Sequence, residues 1–300
     1  MSVPKPRRSV HFVPGANEKM FRKALGLPAD ALILDLEDAV TPDNKDSARE
    51  TVRAWLAEGD CGGKERLVRM NPLETPWGVA DLEVTMRARP DGYVVPKARN
   101  REDLLRIDEI LGRAEADLGY PPGEVKLVVI ATETPDGLFN IRELAEAPRV
   151  DGLTWGAEDL SAAIGARRNR DDAGELLEIF RLARHMTLLA ACSAGVQPID
   201  GVFVDIRDTP GLERECRDAA QMGFTGKLTI HPGQIDAVNE AFRPSPDEVA
   251  ESRELLVAFE EHQRAGEMAF AFKGNMVDAA HLARARTILD RARAVDSTRR

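Results

Sequence analysis

Cysteine is scarce in this chain of 300 residues: only Cys61, Cys192 and Cys216 are present. An odd number without C-x-x-C spacing argues against a disulfide framework or a cysteine zinc site, and fits a reducing cytoplasm. Basic residues are in deficit, 41 Lys plus Arg against 51 Asp plus Glu, a formal net charge of −10. Non-specific nucleic-acid binding is therefore a poor default, although a local basic patch for an anionic ligand stays open. No apolar run approaches the roughly 18 residues of a membrane span, so no membrane partner is expected. Residues Met1 to Arg8 carry charge without a following apolar segment, and no secretory signal is expected. Long Ser/Gly/Pro linkers, low-complexity tracts and repeats of roughly 20–50 residues are lacking too.

What the chain does have is enough apolar residue, 43%, against 31% charged, to bury a real core. Short apolar runs recur at Ser9–Val13, Ala31–Leu36, Arg66–Met70, Gly92–Val95, Lys126–Ala131, Gly152–Trp155, Gly201–Val204 and Gly226–Ile230. Near-continuous runs of this kind read as strands buried on both faces. Helical patterns lie between them. Asn17 is a plausible N-cap before Met20, Phe21, Ala24 and Leu25, and a stripe through Leu177, Phe180, Leu182, Met186 and Leu189 predicts a helix over 176–191. Strands alternating with helices predict an α/β fold, and eight of them a closed (β/α)8 TIM barrel. The runner-up is an open doubly wound sheet, but no G-x-G-x-x-G follows the first strand.

The eighth run ends near residue 230. Beyond it, Ser245-Pro-Asp-Glu248 is a capping box that opens a helix with Val249, Leu255, Leu256 and Phe259 on one face. Phe270-Ala-Phe272 and a joint at Lys273-Gly274 precede a last helix from about Ala279 to Ala294. The reading is a barrel over 1–240 and a helical C-terminal extension over 241–300 that caps the barrel or a neighbouring subunit.

In such a barrel chemistry sits at the C-terminal strand ends. Those ends carry Glu37 and Asp38, Arg69, Lys97, Glu133, Asp159, Asp200 with Asp205, and His231. A carboxylate-rich ring with a few cations suits Mg2+, a hard cation that takes one or two carboxylates, waters and a chelating substrate. No H-E-x-x-H is present, which argues against zinc. On the residues alone, Glu37 and Asp38 serve equally as caps of the next helix, Arg69 and Lys97 as barrel salt bridges, Asp159 as an N-cap, and His231-Pro232 as a turn stop.

Ten strings, in order, sharpen this reading: Phe12-Val-Pro-Gly15, Leu34-Asp-Leu-Glu-Asp-Ala39, Val68-Arg-Met-Asn71, Val95-Pro-Lys97, Glu133-Thr134 with Gly137-Leu-Phe-Asn140, Trp155-Gly-Ala-Glu-Asp-Leu160, Gln197-Pro-Ile-Asp200, Met222-Gly-Phe-Thr-Gly-Lys227, Ile230-His-Pro-Gly-Gln-Ile235 and Gly274-Asn-Met-Val-Asp278. Together they resemble the HpcH/HpaI aldolase/citrate lyase family, in its citrate lyase beta-subunit-like branch, and there most of all the citramalyl-CoA and malyl-CoA lyases. The resemblance spans about residues 8–293.

The resemblance implies a Mg2+ site, with Mn2+ as a substitute, held by Glu133 and Asp159, with Glu37 and Asp38 behind them. It implies that Arg69 acts beside the metal and contacts substrate, as do Glu133, Phe12, Lys19, Lys23, Ile199 and Asp200. Asp278 falls on the catalytic aspartate of the extension, which relatives present to a neighbouring subunit. Relatives commonly have proline two residues after that aspartate; here the position is Ala280. The implied activity is reversible carbon–carbon cleavage of a 3-hydroxyacyl-CoA to a 2-oxo acid and an acyl-CoA, with coenzyme A as part of the substrate. The implied species is a homo-oligomer, a trimer or a multiple of it, with shared sites. Alternatives are a citryl-carrier lyase beta subunit, a free hydroxy-oxo acid aldolase, a malyl-CoA thioesterase, and a non-catalytic acyl-CoA-binding subunit.

Overall fold

A computed structural model describes residues 5–59 and 61–297. Eight strands, β1 (Ser9–Pro14), β2 (Ala31–Asp35), β3 (Glu65–Arg69), β4 (Gly92–Val95), β5 (Lys126–Ile130), β6 (Val150–Thr154), β7 (Gln197–Asp200) and β8 (Gly226–Thr229), form a closed barrel in sequence order. Every neighbouring pair is parallel, and β1 closes on β8 through Val10 opposite Leu228. The expected (β/α)8 barrel is what forms.

Helices fill the connections: α1 (Glu18–Leu25), α2 (Lys45–Ala57), α3 (Gly78–Thr85), α4 (Arg101–Leu118), α5 (Pro135–Phe139), α6 (Ile141–Ala145), α7 (Ala157–Ile164), α8 (Glu178–Ala194), α9 (Thr209–Met222) and α10 (Ile235–Ala241). Asn17 does cap α1, its side chain accepting from the Met20 amide. Alternation along each strand makes two apolar layers. Val10, Ile33, Leu67, Val94, Val128 and Ile199 fill the barrel, while Val13, Leu34, Val68, Val95, Leu127 and Val129 face the helices. At the N-terminal ends of the strands, Arg7 pairs with Glu65 at 2.7 Å and Asp151 at 2.9 Å.

Two expectations are corrected. The seventh strand is Gln197–Asp200, not Gly201–Val204. The apolar run Gly201–Phe203 is irregular chain leaving the barrel, where Gly201 lies against Trp155 so closely that a Cβ would come within 2.9 Å of its atoms. In α8 the expected apolar stripe packs only in part: Phe180 is buried and Leu177 and Met186 lie against the core. Leu182 and Leu189 are exposed, while Phe180, Ala183, Arg184, Thr187 and Ala190 are buried. Small residues let the helix approach the barrel, and Arg184 reaches through to Asp200.

The chain divides into two compact units, Arg7–Asn239 and Glu240–Arg300 with Met1–Pro6; residues 1–4 and 298–300, at the ends of the expected segments, lie outside the described ones. In the second unit α11 (Pro246–Arg264) starts at the Ser245/Glu248 capping box and packs against α12 (Ala279–Ser297). The expected joint at Lys273-Gly274 is instead the turn of a hairpin between β9 (Phe270–Phe272) and β10 (Asn275–Val277). Lys273 and Gly274 have φ of 48° and 84°, the left-handed pair that a two-residue hairpin turn demands. Phe270 is the anchor, edge-on to Phe259 at 5.7 Å and stacked on His262 at 3.9 Å. The extension is thus helices plus a hairpin.

Gly226 tests the barrel closure, because a Cβ there would sit 1.7 Å from the Arg7 carbonyl oxygen. We expect Gly226→Ala to cost roughly 3 kcal/mol or to prevent folding. Gly112→Ala in α4, where the added carbon meets only ordinary contact at 3.6 Å, should stabilise by up to about 1 kcal/mol. Denaturant unfolding of the two variants decides; equal stabilities would contradict the packing described.

Candidate active site

The C-terminal mouth of the barrel holds a cavity of about 410 Å3 whose lining includes Phe12, Asp38, Arg69, Glu133, Trp155 and Asp159. Its geometry starts from Asp35, the last residue of β2. One oxygen accepts from Arg69 Nε and the Glu37 amide, the other from Arg69 Nη2 and the Ala39 amide, at 2.7–3.3 Å. That two-pronged grip fixes the guanidinium and turns the chain after β2. The free edge of Arg69 faces Glu37 at 3.0 Å and Asp38 at 3.6 Å, and its carbon lies 4.8 Å from the Phe12 ring centre.

Behind this loop, Lys45 of α2 is buried. Its ammonium donates to the carbonyls of Leu36 and Glu37 and to Asn71 Oδ1, all at 2.7–2.8 Å. Asn71 is tied in turn to Asp81, and Asp81 to Arg49.

Across the mouth, Glu133 follows β5 and is nearly sealed, 4% exposed. Its Oε2 accepts from the Lys97 amide at 2.6 Å. Gly156 makes room for it: a Cβ there would lie 2.8 Å from Glu133 Cγ. Burial, then the nearby charges of Glu37 and Asp159, push the Glu133 carboxyl up to about 8. Asp159 stands in the first turn of α7, whose N-cap is Gly156; it is therefore not the cap. The Lys97 ammonium pairs with Glu37 and lies 3.3 Å from Asp159. Burial alone would lower its pKa, but Glu37, Asp38 and Asp159 hold it above the ordinary value.

The donor set suits a hard divalent cation. Glu133 and Asp159 are adjacent carboxylates, one of them starved of countercharge; among the described residues no group of three or more His, Cys, Asp or Glu is placed to hold a metal ion, so water and substrate would have to complete the set. Two protein oxygens with room for water and substrate is the Mg2+ pattern.

Not every expected residue joins them. Glu37, expected behind the metal pair, is buried behind the cavity wall in ion pairs with Arg69 and Lys97, whereas Asp38, expected beside it there, lines the cavity itself. Lys19 and Lys23 are exposed on α1, which sends Met20 to the cavity lining instead. Ile199 lies inside the barrel core. Asp200 is fully buried, and its oxygens are taken by Arg184, Lys227 and the Trp155 indole N–H at 2.7–2.9 Å. Burial would raise its pKa, but Lys227 and Arg184 hold it well below the carboxylate range. It thus touches the cavity only through Trp155. His231 caps a short turn, its Nδ1 accepting from the Gly233 amide, as the turn-stop reading had it. Asp205 is an exposed turn residue that accepts from the Arg207 amide. In the extension, Asp278 leads into α12. Its exposed carboxylate accepts from the Ala280 amide at 3.0 Å and pairs with His281 Nδ1 at 2.8 Å. The His281 contact, with the Ala280 amide, lowers its pKa. Asp35, Lys45 and Trp155 were missed as site residues. Asp35 and Trp155 stood inside the quoted strings, whereas nothing marks Lys45 in the sequence.

Fold and site together define a (β/α)8 barrel with a carboxylate and arginine mouth at the C-terminal ends of its strands. The HpcH/HpaI aldolase/citrate lyase family matches residues 8–232, and the chain belongs to that family. It is 37% identical to the (3S)-malyl-CoA thioesterase of Cereibacter sphaeroides over 98% of this chain and 97% of that one. It is likewise 37% identical to the mitochondrial citramalyl-CoA lyase of Rattus norvegicus, over 97% of this chain and 87% of that one. The CitE protein of Mycobacterium tuberculosis, solved with magnesium, acetoacetate and coenzyme A, superposes with a TM-score of 0.78 at 35% identity, covering 96% of this chain and 98% of that one. Magnesium and coenzyme A thus occur together in a neighbour, as the expected cofactor and substrate require. Among the described residues no helix is long and apolar enough to cross a membrane.

The raised Glu133 pKa fixes the sign of a pH effect. A carboxyl moved from 4.5 to about 8 stabilises the metal-free fold below 4.5, and that contribution is lost as pH rises through 8. Metal binding needs the ionised form, so Mg2+ affinity should climb from pH 6 to about 8 and then level, with a proton released on binding at pH 7. Titration calorimetry in buffers of different ionisation enthalpy reads both; flat affinity without proton release would remove this account of Glu133.

Proposed function

We propose that this chain is a Mg2+-dependent carbon–carbon lyase that cleaves a 3-hydroxyacyl-CoA bearing a carboxylate beside its hydroxyl. The products are a 2-oxo acid, pyruvate or glyoxylate, and an acyl-CoA such as acetyl-CoA. The observation that carries this reading is an arginine held rigid by Asp35 at the cavity wall, with the Glu133/Asp159 pair in the same lining. Glu133 and Asp159 are the residues that would hold the cation, which when bound supplies Lewis acidity to the substrate's carboxylate and hydroxyl oxygens. Arg69 is aimed at the opposite need. As the acyl-CoA fragment leaves as a thioester enolate, the guanidinium stabilises the developing negative charge without having to reorganise. Phe12 and Arg69 form one wall of the pocket, and Lys19 and Lys23, exposed and cationic, suit the phosphates of coenzyme A.

A second reading deserves its own arm because one relative at 37% identity is a thioesterase: the same site directing water at the thioester. The purified chain should be incubated with citramalyl-CoA, malyl-CoA, methylmalyl-CoA, a carrier-bound citryl thioester and free citrate in Mg2+. 2-Oxo acid and free thiol are followed separately. We expect 2-oxo acid without thiol, abolished by EDTA. Thiol without 2-oxo acid would replace the lyase by the thioesterase, and neither product from any substrate would leave an acyl-CoA-binding subunit.

Asp278 is proposed as the acid/base, protonating the enolate carbon or taking the methyl proton in the condensation direction. Its exposed carboxylate, steered by His281 and the Ala280 amide, supports this. We propose further that it serves a neighbouring subunit of a homo-oligomer, a trimer or a multiple of it, in the cytoplasm. Asp278→Asn retains capping ability, so Tm should hold while kcat falls by orders of magnitude. Mixing Asp278→Asn with Glu133→Ala chains, each inactive, should restore partial activity after subunit exchange. A mixture that stays dead despite proven exchange rules out sharing.

A further inference from the structure

Lys97 is unusual twice over. It is a residue with a full side chain in the left-handed backbone region, φ 53°, directly after Pro96 at the exit of β4. Such a conformation is disfavoured for L-residues and persists where the surroundings hold it. Here the backbone N–H is what the turn delivers, donating to Glu133 Oε2 at 2.6 Å. The same residue then sends its ammonium the other way, to Glu37, to Asp159 at 3.3 Å and to Asp38 at 3.6 Å. One residue therefore ties together the chain segments that follow β2, β5 and β6.

The two cations of the mouth are not equivalent. Arg69 is committed to Asp35 through two hydrogen bonds and to Glu37 beside it. No ion pair joins it to Asp159 or Glu133. Among the described residues the one cation that pairs with Asp159 is Lys97. A divalent ion held by Glu133 and Asp159 must therefore take over Asp159 from this ammonium. A lysine suits that exchange: its charge rides on a flexible four-carbon stem, here partly exposed, and can withdraw without moving the backbone.

We propose that Lys97 is the built-in counter-ion of the metal pocket. Its ammonium neutralises the carboxylates while no divalent cation is bound and yields Asp159 when one enters, and its amide keeps Glu133 in place in both states. This rests on Glu133 and Asp159 being the metal-holding pair.

The test measures metal binding and metal-free stability. Wild type, Lys97→Met and Lys97→Arg are titrated with Mg2+ by calorimetry, and their Tm is measured in EDTA and in saturating Mg2+. Removing the competing charge should tighten Mg2+ binding roughly tenfold and lower Tm in EDTA, and the Tm difference should close in Mg2+. Lys97→Arg, which keeps the charge and holds Asp159 through a planar fork, should show none of this tightening. Unchanged or weaker binding by Lys97→Met overturns the proposal, as does a Tm deficit of equal size with and without Mg2+, the mark of an ordinary salt bridge. Should Lys97→Met not fold, Lys97→Gln, which keeps a donor for Glu37, is held to the same outcomes. Failure of the wild type itself to bind Mg2+ would remove the metal pair and this proposal with it, whereas wild-type binding without tightening in the variants removes the proposal alone.

Discussion

Crowding of like charge governs the mouth of this barrel. Asp35, Glu37, Asp38, Glu133 and Asp159 converge there on Arg69 and Lys97. Carboxylates so close repel one another, and burial makes that repulsion worse than it would be in water. The chain meets this in three ways visible in its geometry. Asp35 is neutralised outright by the two-pronged Arg69 pair. Glu37 is shared between Arg69 and Lys97. Glu133, nearly sealed and with a single amide donor, resists ionisation. An electron-rich pocket that is short of positive charge is a pocket shaped for a cation and for anionic chemistry beside it.

Holding that arrangement requires bracing from outside the cavity. The Lys45 ammonium gathers two carbonyls of the loop after β2 and the Asn71 side chain, and Asn71 leans on Asp81, which Arg49 of α2 fixes. On the opposite side Asp200, Arg184 and Lys227 form a buried cluster whose contact with the cavity is the Trp155 indole. Each buried charge there has a partner, the condition under which buried ions are tolerable. Asp200 therefore bears on the cavity through the Trp155 wall that it supports.

Much of this was legible in the sequence. Strand runs such as Ala31–Leu36 and Lys126–Ala131 gave the barrel because strands covered on both faces have no polar alternation to confuse the reading. The same signal failed at β7. Gln197-Pro-Ile-Asp200 contains a proline and two polar residues, since its outer neighbours are the ions of the Asp200 cluster, and the apolar Gly201–Val204 next to it drew the assignment. The hairpin in the extension was missed because three-residue strands leave almost no periodicity, although Lys273-Gly274 marked the turn. At the site, Arg69, Glu133 and Asp159 were visible as polar residues at strand ends. Lys45 was not: a lysine at a helix start looks like solvated surface until the fold turns its stem inward.

The contrast between Arg69 and Lys97 carries the chemistry further than either residue alone. A guanidinium locked by Asp35 on two of its nitrogens has lost its freedom before substrate arrives, so it can meet a developing charge with no reorganisation. Lys97 is the reverse, an amide fixed on Glu133 and a partly exposed ammonium that, on our proposal, gives up Asp159. Exchanging the two types would misplace both properties. An arginine at 97 would resist withdrawal through its planar fork, and a lysine at 69 could not take both oxygens of Asp35 while still facing Glu37. The site thus needs one cation that stays and one that yields, and the strand-end positions of β3 and β4 supply them at neighbouring points on the barrel rim.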